Sequence, residues 1–439
     1  MGNGKKKTIW NFFDNLEGDK VVWIIAIMLI MISIVCLFSS TSRLLTGDQT
    51  RLDIVRNQLV IATLGVGLIV LCYNIKSLGF FRWCSKWGFA VSFVLLILLL
   101  SQINTPFIKS IELNGARRIL QVAGFQIHVY EVVKVAMVLY MAWALDALKR
   151  GEIEKPKDKK LQKLLFIYLP FIAVTLMVIP GSNTASVFIA GILFLVILLG
   201  GGNFKDLALL FIFAVVVIGS CYGIYKVSDG KSIQRIGTAI SRLSESEDWE
   251  KQVLESPVGS KAYYDALDEI RQPYSAKIAV HEGGFIGKGP GQSTQRYVVP
   301  DMSEDYMFSF IIEEYGLLGA MIVMFLYVSL MARGALISKN CGNDLYAKLT
   351  VAGLCLLITG QAFLHMFVNA EIGPMTGQTL PLISHGNSAF LCFCLAFGII
   401  LSISRIATKK MEKEQKAAEP LVEMHEAIND LDILDNEEL

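Results

Sequence analysis

Charge is scarce in this sequence: only 18% of its 439 residues are Asp, Glu, Lys or Arg, while 54% are hydrophobic. A soluble chain of that length needs more polar surface, so a mean hydropathy of +0.52 points to lipid as the solvent. The net charge is only +1, and the basic stretches flank apolar runs, which excludes the electrostatic footprint of a nucleic-acid binder. None of the eight cysteines lies in the one long polar loop, so no disulfide framework is expected. Cys392 and Cys394 are two apart, point in different directions on a helix, and are read as packing residues and not as a metal pair. No inverted internal repeat of the transporter kind is visible.

What the chain does have is apolar runs of membrane-spanning length, roughly 20 residues each. They predict an all-α integral membrane protein of about ten transmembrane helices, at 21–39, 58–75, 84–101, 129–147, 164–180, 184–200, 206–225, 306–332, 347–368 and 389–407. The first run follows Lys5, Lys6 and Lys7 as a signal peptide would, but it is too long and lacks a small-residue cleavage site before Thr41. It is read as an uncleaved helix.

Lys and Arg set the orientation, because they are retained on the cytoplasmic side. The segment Lys149–Lys163 carries seven of them and the tail from Arg405 five, against three in each of the first two loops assigned to the outside. Both termini are therefore expected in the cytoplasm. The layout becomes a cytoplasmic N-terminus (1–20), a membrane domain (21–407) holding a large outside loop (227–304), and a mostly acidic cytoplasmic tail (408–439). That tail is read as solvated or weakly helical.

Four polar clusters stand out against this background, since ionisable groups at a membrane edge are expensive. Arg117 and Arg118 follow Asn114-Gly115-Ala116 in the second outside loop and can hold phosphates bidentately. Glu131 and Lys134 come just after, three apart on one helix face, where a structural pair fits equally well. The turn Pro180–Thr184 is the second cluster, explained as readily by turn chemistry as by substrate contact. The third is a glycine run, Gly283, Gly284, Gly287, Gly289 and Gly291, with Lys288, Gln295 and Arg296 beside it, whose backbone N–H groups suit an anion. It leads to Asp305 at the start of the eighth span.

At 100° per residue Ser309, Ile312, Gly316 and Gly319 fall within about 40° of Asp305, which is therefore expected to face the bundle or its outer mouth. One of Glu313 and Glu314 is expected to pair with a basic residue. The fourth cluster, Asn369 to Ser388, includes Thr376, Ser384 and His385 and holds too much Gly and Pro to be helix. Non-helical backbone at that depth is expected to be buried or to line a watery cavity, as a re-entrant hairpin would. His365 and His385 are acid/base or ligand candidates, though lone histidines are more often structural.

Taken together these residues resemble the SEDS family of FtsW, RodA and SpoVE, membrane glycosyltransferases that polymerise peptidoglycan. The resemblance runs from Asp19 to about Arg405. It rests on Asn114-Gly-Ala-Arg117, Glu131 with Lys134, the glycine run through Ser293 and Gln295, Pro300 with Asp305, and Glu313-Glu314-Tyr315-Gly316 with Gly319. Asn369, Gly373-Pro374-Met375-Thr376-Gly377, Leu380-Pro381 and Ser384-His385-Gly386 complete it. The family's Gln-Pro-Ser-Glu reads His128-Val129-Tyr130-Glu131 here, its Thr/Ser-Asp-Phe reads Glu304-Asp305-Tyr306, and Asn183 replaces a usual acidic residue. The overall pattern is nearer the division member than the elongation member.

The resemblance implies that lipid II is the acceptor and a glycan on undecaprenyl pyrophosphate the donor. It also implies a class B penicillin-binding protein as partner, among other divisome membrane proteins, and Asp305 as the catalytic aspartate. Arg117, Arg118, Lys134, Lys288 and Arg296 are the cations available to the departing pyrophosphate, while Glu131, Gln295, Thr376, Ser384 and His385 are the further substrate contacts expected. A divalent ion, Mg or Mn, is expected to share the charge, although no ligand cage is visible. A lipid II flippase, a scaffold and a RodA-like elongation polymerase are the competing readings.

Overall fold

The computed structural model describes residues 17–40, 51–101, 103–113, 116–202, 251–299, 302–370, 372 and 376–437. The expected span 206–225 lies outside them, as do residues 227–250 of the large loop, Asn114, Gly115, Pro300, Asp301 and the Gly373–Met375 stretch. The other nine expected spans all appear as helix. They are α1 (Lys20–Ser40), α2 (Arg51–Asn74), the near-continuous α3 and α4 (Leu78–Lys86, Gly88–Leu100), α5 (Val129–Arg150), α6 and α7 (Lys159–Lys163, Leu169–Val178), and α8 (Asn183–Leu199). After the amphipathic α9 (Lys261–Gly283) come α10 (Met307–Asn340), α11 (Leu345–Asn369) and α12 (Asn387–Glu437). Seven spans among the described residues are long and apolar enough to cross a bilayer, and α8 is a shorter apolar helix. The protein is a multi-pass helical membrane protein.

Local chemistry explains the irregularities. Pro170 has no N–H to give the Phe166 carbonyl, so the chain passes through a π turn at Leu164–Tyr168, and the Tyr140 hydroxyl donates to Phe166 O at 3.1 Å. α5 is the hub of the bundle, packed on α4, α8 and α11, and α10 packs on α11, α9 and α1. Small residues allow close approach: a Cβ on Gly65 of α2 would meet Cys394 Sγ of α12 at 2.6 Å. α12 continues as helix through the tail to Glu437.

Three strands, β1 (Ile108–Leu113), β2 (Ala116–Val122) and β3 (Phe125–His128), form an antiparallel sheet in order β1-β2-β3 between α4 and α5. This sheet was not expected of the second outside loop. Ala123 (φ 49°) and Gly124 (φ 90°) make the tight second turn, and Ser110 Oγ donates to Leu99 O at 3.2 Å, which ties the sheet to the end of α4.

Candidate active site

The eighth span is not one straight helix. Gly316 inside α10 has φ 69° and ψ −175°, which only glycine adopts at ease. The break frees backbone groups that a membrane cannot hydrate, and the glycine run supplies their partners. The amides of Lys288 and Gly289 donate to the carbonyls of Glu313 and Glu314, both at 2.9 Å. In return, Leu317 N donates to Gly284 O at 3.0 Å and Leu318 N to Phe285 O at 3.2 Å.

The anion held by the glycine run is the protein's own. Glu314 Oε1 accepts from Gly291 N (3.1 Å), Ser293 N (3.3 Å) and Ser39 Oγ (2.6 Å), with Arg296 Nη1 at 3.8 Å. Glu313 accepts from Thr294 N (2.8 Å), Gln295 N (3.2 Å) and Lys288 Nζ (2.8 Å). Lys288 also bonds Glu282, and these partners carry it above the ordinary lysine value although burial pulls it down. Both glutamates are thus paired with cations, where one was expected. The side chains of Lys288 and Arg296 and the backbone amide of Gln295 hold the loop to the helix.

Asp305 lies two residues before α10, in a half-buried turn. Because it precedes the helix and Gly316 breaks it, the face projected by helical spacing does not extend from Asp305 to Gly319. The turn is fixed from two sides instead. Asn369 Nδ2 donates to Asp305 O at 3.0 Å, Ser384 Oγ donates to Glu304 O at 2.7 Å, and His385 N donates to Ser303 O at 2.9 Å. His385 Nδ1 sits 3.3 Å from Glu304 Oε1. Residues 376–386 after α11 are non-helical, as expected: Leu380, Leu382 and Ile383 are buried, and helices satisfy the carbonyls of the stretch. Ser33 donates to Ile383 O and Gln361 Nε2 to Thr379 O, and Tyr327 donates to Pro381 O.

The polar ends of these segments converge over Gly377. A Cβ placed there would lie 3.4 Å from Arg118 Nη1 and 3.6 Å from Asp305 Oδ2, so the guanidinium and the carboxylate border one small space. Arg118 reaches it from β2, its Nε donating to Gly181 O at 3.3 Å, which is how the Pro180–Thr184 turn contributes. Gly181 is required there, since a Cβ would meet the Tyr130 hydroxyl at 1.5 Å. Arg117, the preceding strand residue, pairs with Glu112 at 3.5 Å, and the register between β1 and β2 shifts by one residue at this pair, with Arg118 as the extra residue of the bulge.

Behind this space Lys134 is fully buried. Its Nζ donates to Glu131 (2.6 Å), Gln361 (2.5 Å) and Gln378 (2.9 Å) and lies 5.6 Å from the Phe188 ring centroid. His128, at the N-cap of α5, gives its amide to Ser388 Oγ at 2.9 Å; burial lowers its pKa despite Glu131 and Glu304. Thr376 is buried beside Gly377.

The protein-family model described as cell cycle protein, FTSW_RODA_SPOVE, matches residues 19–409. The chain belongs to the FtsW/RodA/SpoVE family. It is 31% identical to the probable peptidoglycan glycosyltransferase FtsW of Coxiella burnetii over 73% of this chain and 78% of that one. It is 26% identical to stage V sporulation protein E of Bacillus subtilis over 88% and 97%. Among solved structures, it is similar to a chain determined for the structural coordination of polymerization and crosslinking by a peptidoglycan synthase complex. That chain is 19% identical, with a TM-score of 0.63 over 89% of this chain and 98% of that one, which shows a shared fold.

In this member of the FtsW/RodA/SpoVE family, sequence reasoning had not singled out Gln361 and Gln378, the amides that hold Lys134. A lone Gln at the centre of an apolar span was the available signal for Gln361. Among the described residues no group of three His, Cys, Asp or Glu side chains is arranged to hold a metal ion. His365 is a structural histidine: Nε2 accepts from Phe308 N at 3.3 Å, so the proton sits on Nδ1, which donates to Gln378 O at 2.7 Å.

Proposed function

We propose that the protein is a peptidoglycan glycosyltransferase that polymerises lipid II on the outer face of the cytoplasmic membrane, in septal wall synthesis. The observation that carries this reading is the carboxylate of Asp305 and the guanidinium of Arg118 bordering one space above Gly377. A glycosyl transfer from a pyrophosphate donor needs that pairing of a base and an anion holder.

Asp305 takes the proton from the acceptor hydroxyl as its oxygen attacks the anomeric carbon of the donor glycan. The C–O bond to undecaprenyl pyrophosphate breaks, and negative charge grows on the departing phosphate. Arg118 is the cation placed to stabilise that charge. The buried Lys134 hub, with Glu131, Gln361 and Gln378, sets the floor of the site. A class B penicillin-binding protein is the transpeptidase partner, within a set of division membrane proteins. The prenyl tails remain in lipid.

This geometry separates the two arginines. Arg118→Ala is expected to lower polymerisation about 10- to 100-fold, with Arg118→Lys restoring part, because Lys lacks the bidentate fork. Arg117→Ala is expected to stay within about 3-fold of wild type, since its side chain faces Glu112. Lipid II polymerisation by purified variants reads both; equal losses at the two positions would remove the distinction.

Both termini are cytoplasmic in this reading, and residues 227–304 are outside. Cysteine at the exposed Val258 should react with an impermeant maleimide added to intact cells, and cysteine at the exposed Asp158 should react only after lysis. The reverse pattern would place the site in the wrong compartment.

A further inference from the structure

We propose that Asn369, the last residue of α11, is the positioning residue for Asp305, supported by His365 one turn earlier. This rests on the reading of Asp305 as the base. α10 begins without a cap of its own: Tyr306, the residue before it, makes no side-chain capping bond. Its first amides therefore need acceptors from elsewhere. α11 provides them, His365 Nε2 for Phe308 N at 3.3 Å and Asn369 Oδ1 for Ser309 N at 2.9 Å.

The other half of the Asn369 amide then grips the turn. Nδ2 donates to Asp305 O at 3.0 Å and to His365 O at 2.9 Å, while Oδ1 also accepts from Ser309 Oγ at 2.8 Å. Two donations and two acceptances use the full capacity of a side chain that is 1% exposed. They also fix its flip, because exchanging O and N would set the amide hydrogens against the Ser309 N–H and the amide oxygen against two carbonyls. Asp has no donor for Asp305 O, and Ser is too short. His365 passes the constraint on, since Nδ1 donates to the carbonyl of Gln378, whose side chain holds Lys134. Asp305 is thereby referenced to α11 and, through Gln378, to α5.

Two variants of the full-length protein divide capping from positioning. Asn369→Asp keeps the acceptor for Ser309 and loses both donations, to Asp305 O and His365 O, setting a buried carboxyl oxygen against two carbonyls, so its melting temperature should fall and its turnover is read per folded molecule. Its kcat in lipid II polymerisation should fall roughly 10- to 100-fold, as a small misplacement of a reacting group does, with KM within about 2-fold. That loss should persist across the plateau of the pH profile, which an added charge acting only on the titration of Asp305 would not produce. Asn369→Ala loses all four bonds, the cap of α10 included, and should show a lower melting temperature together with the lower kcat. Wild-type kcat in Asn369→Asp, or a loss confined to KM or abolished at alkaline pH, would overturn the inference. Asp305→Asn is assayed in parallel: if it is inactive while Asn369→Asp is normal, only the positioning role falls, and if it turns over normally, the base assignment falls with it.

Discussion

Asp305→Asn is expected to reduce lipid II polymerisation by about 10² to 10⁴-fold, the range removed with a general base. The change preserves size and leaves the backbone carbonyl that Asn369 holds, so the turn before α10 should keep its place. Folding, membrane insertion and partner binding should accordingly be retained. A structural carboxylate would give the opposite pattern, with lower expression or melting temperature and normal turnover per folded molecule. Arg118 sharpens the distinction because it borders the same space. Removing a structural counter-charge would leave the guanidinium uncompensated and destabilise the fold, whereas removing a base leaves the fold and takes the rate.

The second large effect is on folding. Gly316→Ala is expected to destabilise the protein by about 2 to 5 kcal/mol, adding the left-handed backbone penalty to an overpacking cost. At φ 69° a side chain is strained wherever it points, and its Cβ would stand 2.3 Å from Phe285 O and 2.5 Å from Gly287 N. Neither is a flexible side chain that can move aside. Gly67→Ala is the matched control, because a Cβ there meets nothing within 4 Å and alanine favours helix. Thermal unfolding in detergent should show a large loss for the first and little change for the second. Equal stabilities would mean that the helix break is not required.

The spans were legible because lipid imposes one requirement on every segment, internal satisfaction of the backbone by an apolar helix. Polar placement followed other rules. The sheet between α4 and α5 left a local signal in Asn114-Gly115, a two-residue hairpin dipeptide between strand-forming runs, but the loop was read for its arginines. The glycine run was correctly seen as a donor of backbone N–H groups. Its ligand was not legible, because Glu314 and the broken helix meet it only in three dimensions. For the same reason helical spacing misplaced Asp305: it assumed a helix that in fact begins at Met307 and breaks at Gly316. Asn369 stood in the sequence as one polar residue of a loop, and its role depends on two helix ends meeting.

In the proposed function this chain makes a glycosidic bond on the outer face. Purified full-length protein incubated with lipid II, alone and with its class B penicillin-binding protein, tests it most directly, with products resolved as glycan chains. Glycan polymer is expected from the wild type and none from Asp305→Asn at equal folded concentration. Absence of polymer from the wild type under both conditions, with lipid II moved intact across vesicle membranes, would contradict it and establish a flippase.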